Sequence, residues 1–167
     1  MALMRDAEPL TIAKSVDLQI LNSSGDEFRK LQLSPSGKPY DKIVVGAAAL
    51  RYALESAGIE TPTILLLKRA PHEPYFPNVF ELPSGKVDPS DPTLKSALIR
   101  EVHEETGLNV TKVLAELKPM VYTTEKTIID NTSQEVTISK TAIQLNYVTL
   151  VSDSEVNINA NENSESC

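Results

Sequence analysis

The strongest structural constraint in the chain comes from the segment Arg100-Glu101-Val102-His103-Glu104-Glu105-Thr106-Gly107-Leu108. We predict that it is the end of a helix, because Gly107 supplies the left-handed residue that terminates helices. Glu101, Glu104 and Glu105 stand at positions i, i+3 and i+4, so a single turn carries three carboxylates on one face. Their repulsion costs roughly 0.2 to 0.5 kcal/mol per pair. A bound cation would offset it, and Mg²⁺ prefers such oxygen ligands.

The residues around this helix end help to decide whether its three glutamates form a functional site or only solvated surface. Glutamates are common on exposed helix faces, so the cluster alone would more often be solvated surface. Here it follows a loop that contains Gly85 and an apolar stripe that would pack the helix on a sheet, formed by Ala97, Leu98 and Val102. We expect His103 to face away from Glu101 and Glu105. This framing favours a functional carboxylate cluster.

The wider segment 85–108 resembles the Nudix box, a pattern written G-x5-E-x7-R-E-U-x-E-E-x-G-U, where U is a bulky aliphatic residue. The matching residues are Gly85, Arg100, Glu101, Val102, Glu104, Glu105, Gly107 and Leu108. Asp91 stands where the first glutamate of the pattern is expected, and one additional residue separates it from Arg100. We expect the loop before the helix to absorb that residue, with Asp91 or Thr93 as the N-cap.

The resemblance implies a chemistry and assigns roles to these residues. A Nudix hydrolase cleaves the pyrophosphate bond of a nucleoside diphosphate linked to another moiety, and it depends on a divalent metal, here Mg²⁺ or Mn²⁺. Glu101, Glu104, Glu105 and the backbone carbonyl of Gly85 would bind the metal. Glu101 and Glu104 would be catalytic, with Arg100 orienting the carboxylates. The sequence does not identify which glutamate acts as general base.

Substrate-binding residues are expected before the Nudix box. Lys68 and Arg69 end an apolar run, where a cation could meet phosphate or simply keep the strand end solvated. Glu81 begins a loop that is similar both to Nudix enzymes that cleanse oxidised nucleoside triphosphates and to those that split sugar nucleotides. The Pro-rich loop 71–77 could wall a base or sugar, or be a rigid turn, and we favour the turn for His72.

The expected fold class is α+β, a Nudix-type α/β/α sandwich with a mixed β-sheet and a C-terminal part that is shortened relative to the family. Alternating or continuous apolar runs predict strands at 16–21, 42–50, 63–69, 80–83, 109–117, 121–124, 136–139 and 141–151. The run 42–50 is expected to be buried on both faces, and 51–62 to be a connection with some helical character. We divide the chain into an N-terminal extension folded onto the domain (1–40), a Nudix hydrolase domain (41–151) and a polar, disordered tail (152–167).

Composition limits the partners and the compartment. A formal net charge of −7 argues against a generic nucleic-acid surface, which draws its affinity from clustered Lys and Arg. The single cysteine, Cys167, cannot form an internal disulfide, which fits a reducing compartment. No apolar run is long enough to span a membrane. We therefore expect a cytoplasmic or nuclear protein with a small-molecule nucleotide substrate and neither a nucleic acid nor a membrane as partner, in an oligomeric state that the sequence does not reveal.

Three hypotheses remain open from the sequence. The first is the metal-dependent pyrophosphohydrolase. The second is a catalytically weak or inactive Nudix-like nucleotide-binding or regulatory module, for which the substitution at Asp91 is an argument. The third is a structural protein whose acidic helix is only solvated surface.

Overall fold

The computed structural model describes residues 9–54, 60–73, 76–152, 156–157 and 163–166. In chain order, the elements of these residues are β1 (Thr11–Ile12), α1 (Leu18–Leu21), α2 (Gly25–Leu31), β2 (Lys42–Leu54), β3 (Glu60–Ile64), β4 (Leu67–Arg69), β5 (Phe80–Glu81), β6 (Ser84–Lys86), α3 (Leu94–Thr106), β7 (Val110–Glu116), β8 (Met120–Ile129), β9 (Glu135–Val151) and β10 (Asn163–Ser166). None of the described helices combines the length and the apolar composition needed to cross a membrane.

The main sheet is mixed and is built around β9. Its strand order is β1-β7-β9-β2-β3, with β6 paired to β2 and β8 paired to β9. Strands β2 and β9 run parallel from Lys42 opposite Ala142 to Leu50 opposite Leu150, whereas β7 and β8 are antiparallel to β9. A second sheet has the order β10-β4-β5. The predicted α+β fold with a mixed β-sheet is confirmed.

The centre of β2 is buried on both faces, as its continuous apolar run predicts. Ile43, Val45 and Ala47 belong to the main hydrophobic core, together with Leu98 and Val102 of α3. The alternate side chains of β2 point to the opposite face, and the residues from 43 to 49 are all buried. Helix α3 is thus anchored on one face of the sheet, with Glu105 at its C-terminal end bound to Ser84 of β6.

The N-terminal segment is helical where we predicted an edge strand at 16–21. The carboxylate of Asp17 accepts the backbone N–H groups of Gln19 and Ile20 and so begins α1. Helix α2 begins with a capping box between Ser24 and Glu27. The strand prediction was wrong because apolar alternation over a few residues does not exclude a short capped helix.

This N-terminal segment contributes to the core of the domain. Leu21 and Phe28 are fully buried, with 0% and 1% of their surface exposed. Strand β1 adds a parallel edge to β7. The division into an extension at residues 1–40 folded onto a domain that begins at residue 41 remains a prediction.

The region after β2 differs from its prediction in two ways. Strand β2 continues to Leu54 and forms an antiparallel pair with β3, so the described part of 51–62 is strand and not helical connection. The predicted strand 63–69 is divided between β3 in the main sheet and β4 in the second sheet. A continuous apolar run does not reveal where the chain passes from one sheet to another, and residues 55–59 lie outside the described residues.

Two of the C-terminal strands, β8 and β9, are longer than predicted. Strand β7 agrees with the prediction for 109–117, whereas the two runs 136–139 and 141–151 form one strand, β9. We expected a disordered tail from 152 onwards, but Asn163–Ser166 pairs with β4 as strand β10. Residues 153–155, 158–162 and 167 lie outside the described residues, and the division at residue 151 remains a prediction.

Candidate active site

Helix α3 presents the acidic segment at the edge of the main sheet. The side chain of Thr93 accepts the backbone N–H of Ser96 and begins the helix, so Thr93 and not Asp91 is the N-cap. Gly107 ends the helix in the left-handed conformation, with φ of 72°. Because the helix begins at Leu94, the additional residue of the motif lies in the preceding loop.

Arg100 is the hub of the hydrogen bonds at this end of the helix. Its Nε and Nη2 atoms donate to the two carboxylate oxygens of Asp91 at 2.9 and 2.7 Å. The Asp91 side chain is only 6% exposed, and it also accepts the N–H of Asp88. The hydrogen bonds from Arg100 hold the pKa of Asp91 below its usual range, and the same contact raises the pKa of Arg100. Asp91 therefore supports the site by fixing Arg100.

Two of the three glutamates converge on one atom of Arg100. Its Nη1 donates to Glu101 at 2.8 Å and to Glu104 at 3.0 Å. The Glu101 side chain is 12% exposed, whereas that of Glu104 is 55% exposed. Glu105 is buried and accepts the backbone N–H of Ser84 at 2.9 Å. The cluster thus connects the helix to strand β6 and keeps one carboxylate in solvent.

Gly85 lies directly against the carboxylate of Glu101. A Cβ atom at residue 85 would stand 2.1 Å from the carboxylate carbon of Glu101, a distance that no real side chain tolerates. Only glycine therefore permits Glu101 to reach the backbone of β6. Since Glu105 accepts the backbone N–H of Ser84, Glu101 and Glu105 lie against consecutive residues of the same strand.

The donor set of this cluster fits a hard divalent cation. Carboxylate oxygens of Glu101, Glu104 and Glu105 and the carbonyl of Gly85 are the oxygen ligands that Mg²⁺ prefers. Within the described ranges, no group of three or more His, Cys, Asp or Glu side chains already has the arrangement of a metal site. Two of these glutamates are held by Arg100, and the third is held by β6, so the predicted trio is not preassembled.

A polar cavity of about 380 Å³ borders the cluster. It is lined by Lys42, Val44, Arg69, Glu73, Glu81, Ser84, Gly85, Lys86, Glu105, Tyr122 and Gln144. Three of these side chains are cationic and three are acidic, so the lining carries no net charge. Arg69 is paired with two of the acids, which leaves Lys42 and Lys86 to attract an anionic group next to the carboxylates.

Two of the three predicted substrate-binding residues line this cavity, and the third does not. Arg69 and Glu81 both line it, and the Arg69 guanidinium is paired with Glu81 at 2.9 Å and with Glu73 at 3.0 Å. Lys68 is not among the lining residues, and its Nζ lies 5.8 Å from the centre of the Phe80 ring. Successive strand residues point to opposite faces, which explains the difference between neighbours. Pro74 and Tyr75 of the predicted loop lie outside the described residues.

The sequence analysis missed the lining residues from the main sheet. Tyr122 and Lys42 are both opposite Ala142, and Gln144 follows two residues later on the same face. The amide of Gln144 donates to Asn146 at 3.0 Å, and the pair lies against Gly46, where a Cβ would be 2.4 Å from the Asn146 amide oxygen. The available signal was the alternation of polar and apolar residues from 143 to 147, which indicates a polar face.

Comparison with known proteins gives the family of the chain. A family model described as the NUDIX domain matches residues 53–166. Two similar curated proteins are named Uncharacterized Nudix hydrolase NudL, from Enterobacter sp. (strain 638) and Yersinia pestis (strain Pestoides F). They are 38% and 39% identical over 63 and 61 residues, which is 36% and 35% of this chain. The matched segments cover 33% and 31% of the relatives, so this similarity spans about a third of their length.

Solved structures with a similar course of the chain were also found. The MutT protein from Methanosarcina mazei Go1 is 24% identical, covers 78% of this chain and 76% of its own, and has a TM-score of 0.45. The NUDIX domain of Shewanella oneidensis NrtR, solved with ADP ribose, is 17% identical, with coverage of 85% and 80% and a TM-score of 0.47. The family model matches more than half of the chain and includes the whole segment 85–108. The chain therefore belongs to the NUDIX family.

Proposed function

We propose that this protein is a divalent-metal-dependent pyrophosphohydrolase that cleaves the diphosphate linkage of a nucleoside diphosphate joined to another moiety. The observation that carries the proposal is the cluster of Glu101 and Glu104 on one nitrogen of Arg100, with Glu101 against Gly85. Its position beside a polar cavity adds support, because that cavity has room for an anionic substrate. Family membership supports the same class of reaction.

The cations of the cavity would bind the diphosphate. Lys42 and Lys86 are exposed side chains at its wall, and Arg69 is held in place by its two carboxylate partners. Both Nη atoms of Arg69 already donate to these carboxylates, so Arg69 would bind a phosphate only by exchanging a carboxylate for phosphate oxygens, which its paired donors also match. Binding at this wall would bring the phosphorus atoms next to Glu105 and Gly85.

The carboxylates would then serve two purposes. A bound Mg²⁺ or Mn²⁺ would neutralise phosphate oxygens and lower the pKa of a coordinated water. Glu101, Glu105 and the carbonyl of Gly85 would hold this ion. Glu104 is the most exposed of the three glutamates, so it is suited to accept a proton from an attacking water. Arg100, fixed by Asp91, would position Glu101 and Glu104.

A nucleotide-binding or regulatory module is the alternative, and one observation favours it. The same Arg100 nitrogen that organises Glu101 and Glu104 also occupies their oxygens. That nitrogen binds one oxygen of each carboxylate, so if the contact persists when a nucleotide binds, each keeps only its second oxygen for a metal, which would be held weakly. Such a protein would bind nucleotides without cleaving them.

The test is a panel of nucleoside diphosphate derivatives incubated with Mg²⁺ or Mn²⁺, with the products identified by mass. We expect Glu101→Gln and Glu104→Gln to lower turnover by about a hundredfold or more. Glu125→Gln is the matched control, because Glu125 is exposed on β8 and lies opposite Ser139 of β9. Nucleotide binding without product would support the regulatory module. Unchanged turnover in both site variants would reject the proposed mechanism.

A further inference from the structure

A two-stranded ribbon extends from the main sheet beyond the candidate site. Strand β8 pairs with β9 from Met120 opposite Gln144 to Ile129 opposite Glu135, whereas β2 pairs with β9 only from Ala142 onwards. The ribbon, residues 123–141, pairs with no third strand among the described residues. All its residues in 123–129 and 135–140 are exposed. Apolar side chains on so exposed a surface indicate that a ligand or a partner contacts it.

The two faces of the ribbon carry opposite charges. Residues directly opposite each other in an antiparallel pair lie on the same face. One face, which we call the basic face, carries the pairs Lys126 with Ile138, Thr124 with Lys140, and Ile128 with Val136. The other face carries the pairs Glu125 with Ser139, Thr127 with Thr137, and Ile129 with Glu135. Both lysines of the ribbon strands are therefore on one face and both glutamates are on the other.

The basic face is continuous with the wall of the candidate site. The next row of the same face contains Tyr122, Ala142 and Lys42, and Tyr122 and Lys42 line the polar cavity. A strand advances about 3.4 Å per residue, so the row of Lys140 lies about 7 Å beyond the row of Lys42. The row of Lys126 lies about 14 Å beyond the row of Lys42. The cations therefore form a line that leads away from the carboxylate cluster.

The lysines of this line differ from the arginines of the site in their partners. Arg69 and Arg100 are each within 3.0 Å of carboxylate oxygens. In the part of the chain that the structure describes, no carboxylate lies within 4.0 Å of Lys42, Lys126 or Lys140. The chain as a whole has a formal net charge of −7, so this local excess of positive charge is not a property of its average surface. An anion is the complementary ligand.

We propose that the basic face binds a second phosphate of the substrate, distal to the diphosphate that is cleaved. This inference rests on the proposed function, since it assumes that the diphosphate lies at the cavity wall. Lys140 and Lys126 would contact the distal phosphate, and the aliphatic side chains beside them would contact the apolar surface of the ligand. The preferred substrate class is thus a nucleotide with a phosphate outside its diphosphate bridge.

The test compares two dinucleotides that share one diphosphate bridge and differ by a single phosphate, NAD⁺ and NADP⁺. We expect the purified chain to bind NADP⁺ about fivefold more tightly at low salt, as measured by calorimetry. Lys126→Glu combined with Lys140→Glu should abolish this preference. The matched control is Glu125→Lys combined with Glu135→Lys, which adds positive charge to the opposite face of the same ribbon and should leave the preference unchanged.

Mg²⁺-dependent hydrolysis of both dinucleotides and the molar mass by light scattering are measured on the same samples. A preference for NADP⁺ without hydrolysis of either dinucleotide would support the distal-phosphate site and would count against cleavage of these two ligands; hydrolysis of the wider panel then decides the proposed function. Hydrolysis with equal affinity for the two dinucleotides, or no binding of either, would overturn the site. A preference that survives the lysine reversals would also overturn it. If those reversals convert a dimer into a monomer and leave a preference intact, the basic face belongs to an interface between two copies.

Discussion

Among the described residues, charged side chains are paired with one another at the end of α3 but not along the basic face of the β8–β9 ribbon. At the end of α3, Arg100 is bound to Asp91, Glu101 and Glu104, and these contacts are partly or largely removed from solvent. On the ribbon, Lys126 and Lys140 are exposed and stand in a line without a described carboxylate partner. At the end of α3 the charged groups are bound to one another, whereas the lysines of the ribbon remain available to a ligand. The comparison separates groups that fix a site from groups that can meet a ligand.

The largest effect is expected from Arg100→Ala, which leaves the nearly buried Asp91 carboxylate without its cation. We expect the free energy of unfolding to fall by about 3 kcal/mol, because an uncompensated buried charge is costly. Denaturant unfolding measures the change. Arg29→Ala is the control, since Arg29 pairs with an Asp26 side chain that is 88% exposed and donates one hydrogen bond to the carbonyl of Tyr40. Its loss should cost about 1–2 kcal/mol. Equal losses in the two variants would show that the Arg100 cluster is ordinary surface.

The next effect is expected from Gly85→Ala. The added methyl group would overlap the Glu101 carboxylate, so that side chain must move away from β6. We expect a destabilisation of about 1–3 kcal/mol, together with loss of Mg²⁺-dependent hydrolysis. Gly25→Ala is a matched control, because a Cβ there would make contacts no closer than 3.5 Å. Full activity in Gly85→Ala would contradict the role assigned to Glu101.

A smaller effect is expected from acid. The pKa of Asp91 is lower in the folded protein than the ordinary value of 3.8, so the unfolded state binds the proton more readily. The stabilisation is therefore present above about pH 4 and is lost as the pH falls through the folded pKa of Asp91. Melting temperatures of the native protein and Asp91→Asn across this range provide the measurement. The native protein should melt at a higher temperature than Asp91→Asn above pH 4, and this difference should shrink below pH 4. A difference that stays constant would contradict the lowered pKa of Asp91.

The smallest effect is expected on the ribbon. Ile128→Val and Ile43→Val remove the same methylene group, but Ile128 is 36% exposed and Ile43 only 1%. We expect Ile43→Val to lower the free energy of unfolding by about 0.5–1.5 kcal/mol, and Ile128→Val to change it by less than about 0.5 kcal/mol. Chemical denaturation of both variants gives the comparison. A larger loss at Ile128 would show that the ribbon is packed against something in solution, such as a second copy of the chain.

The errors of the sequence-based predictions have two causes, a local helix cap and pairing with distant strands. The chain around Asp17 was predicted as a strand, although the cap that makes it helical is formed by residues only two and three positions away. The run 63–69 was predicted as one strand, and only the pairing of β3 with β2 and of β4 with β5 and β10 divides it. Lys68 and Arg69 could not be separated without knowing which face of β4 meets the cavity.

The amino-acid sequence alone determined the acidic helix, its end at Gly107 and the sharing of one face by Glu101, Glu104 and Glu105, because these follow from helical periodicity and the conformational freedom of glycine. The tertiary structure decided which groups these carboxylates meet. Asp91 is nine residues from Arg100, and Ser84 is 21 residues from Glu105. It also decided that Lys42, Lys140 and Lys126 lie on one face. Such contacts depend on strand register and chain packing, which a linear pattern does not contain.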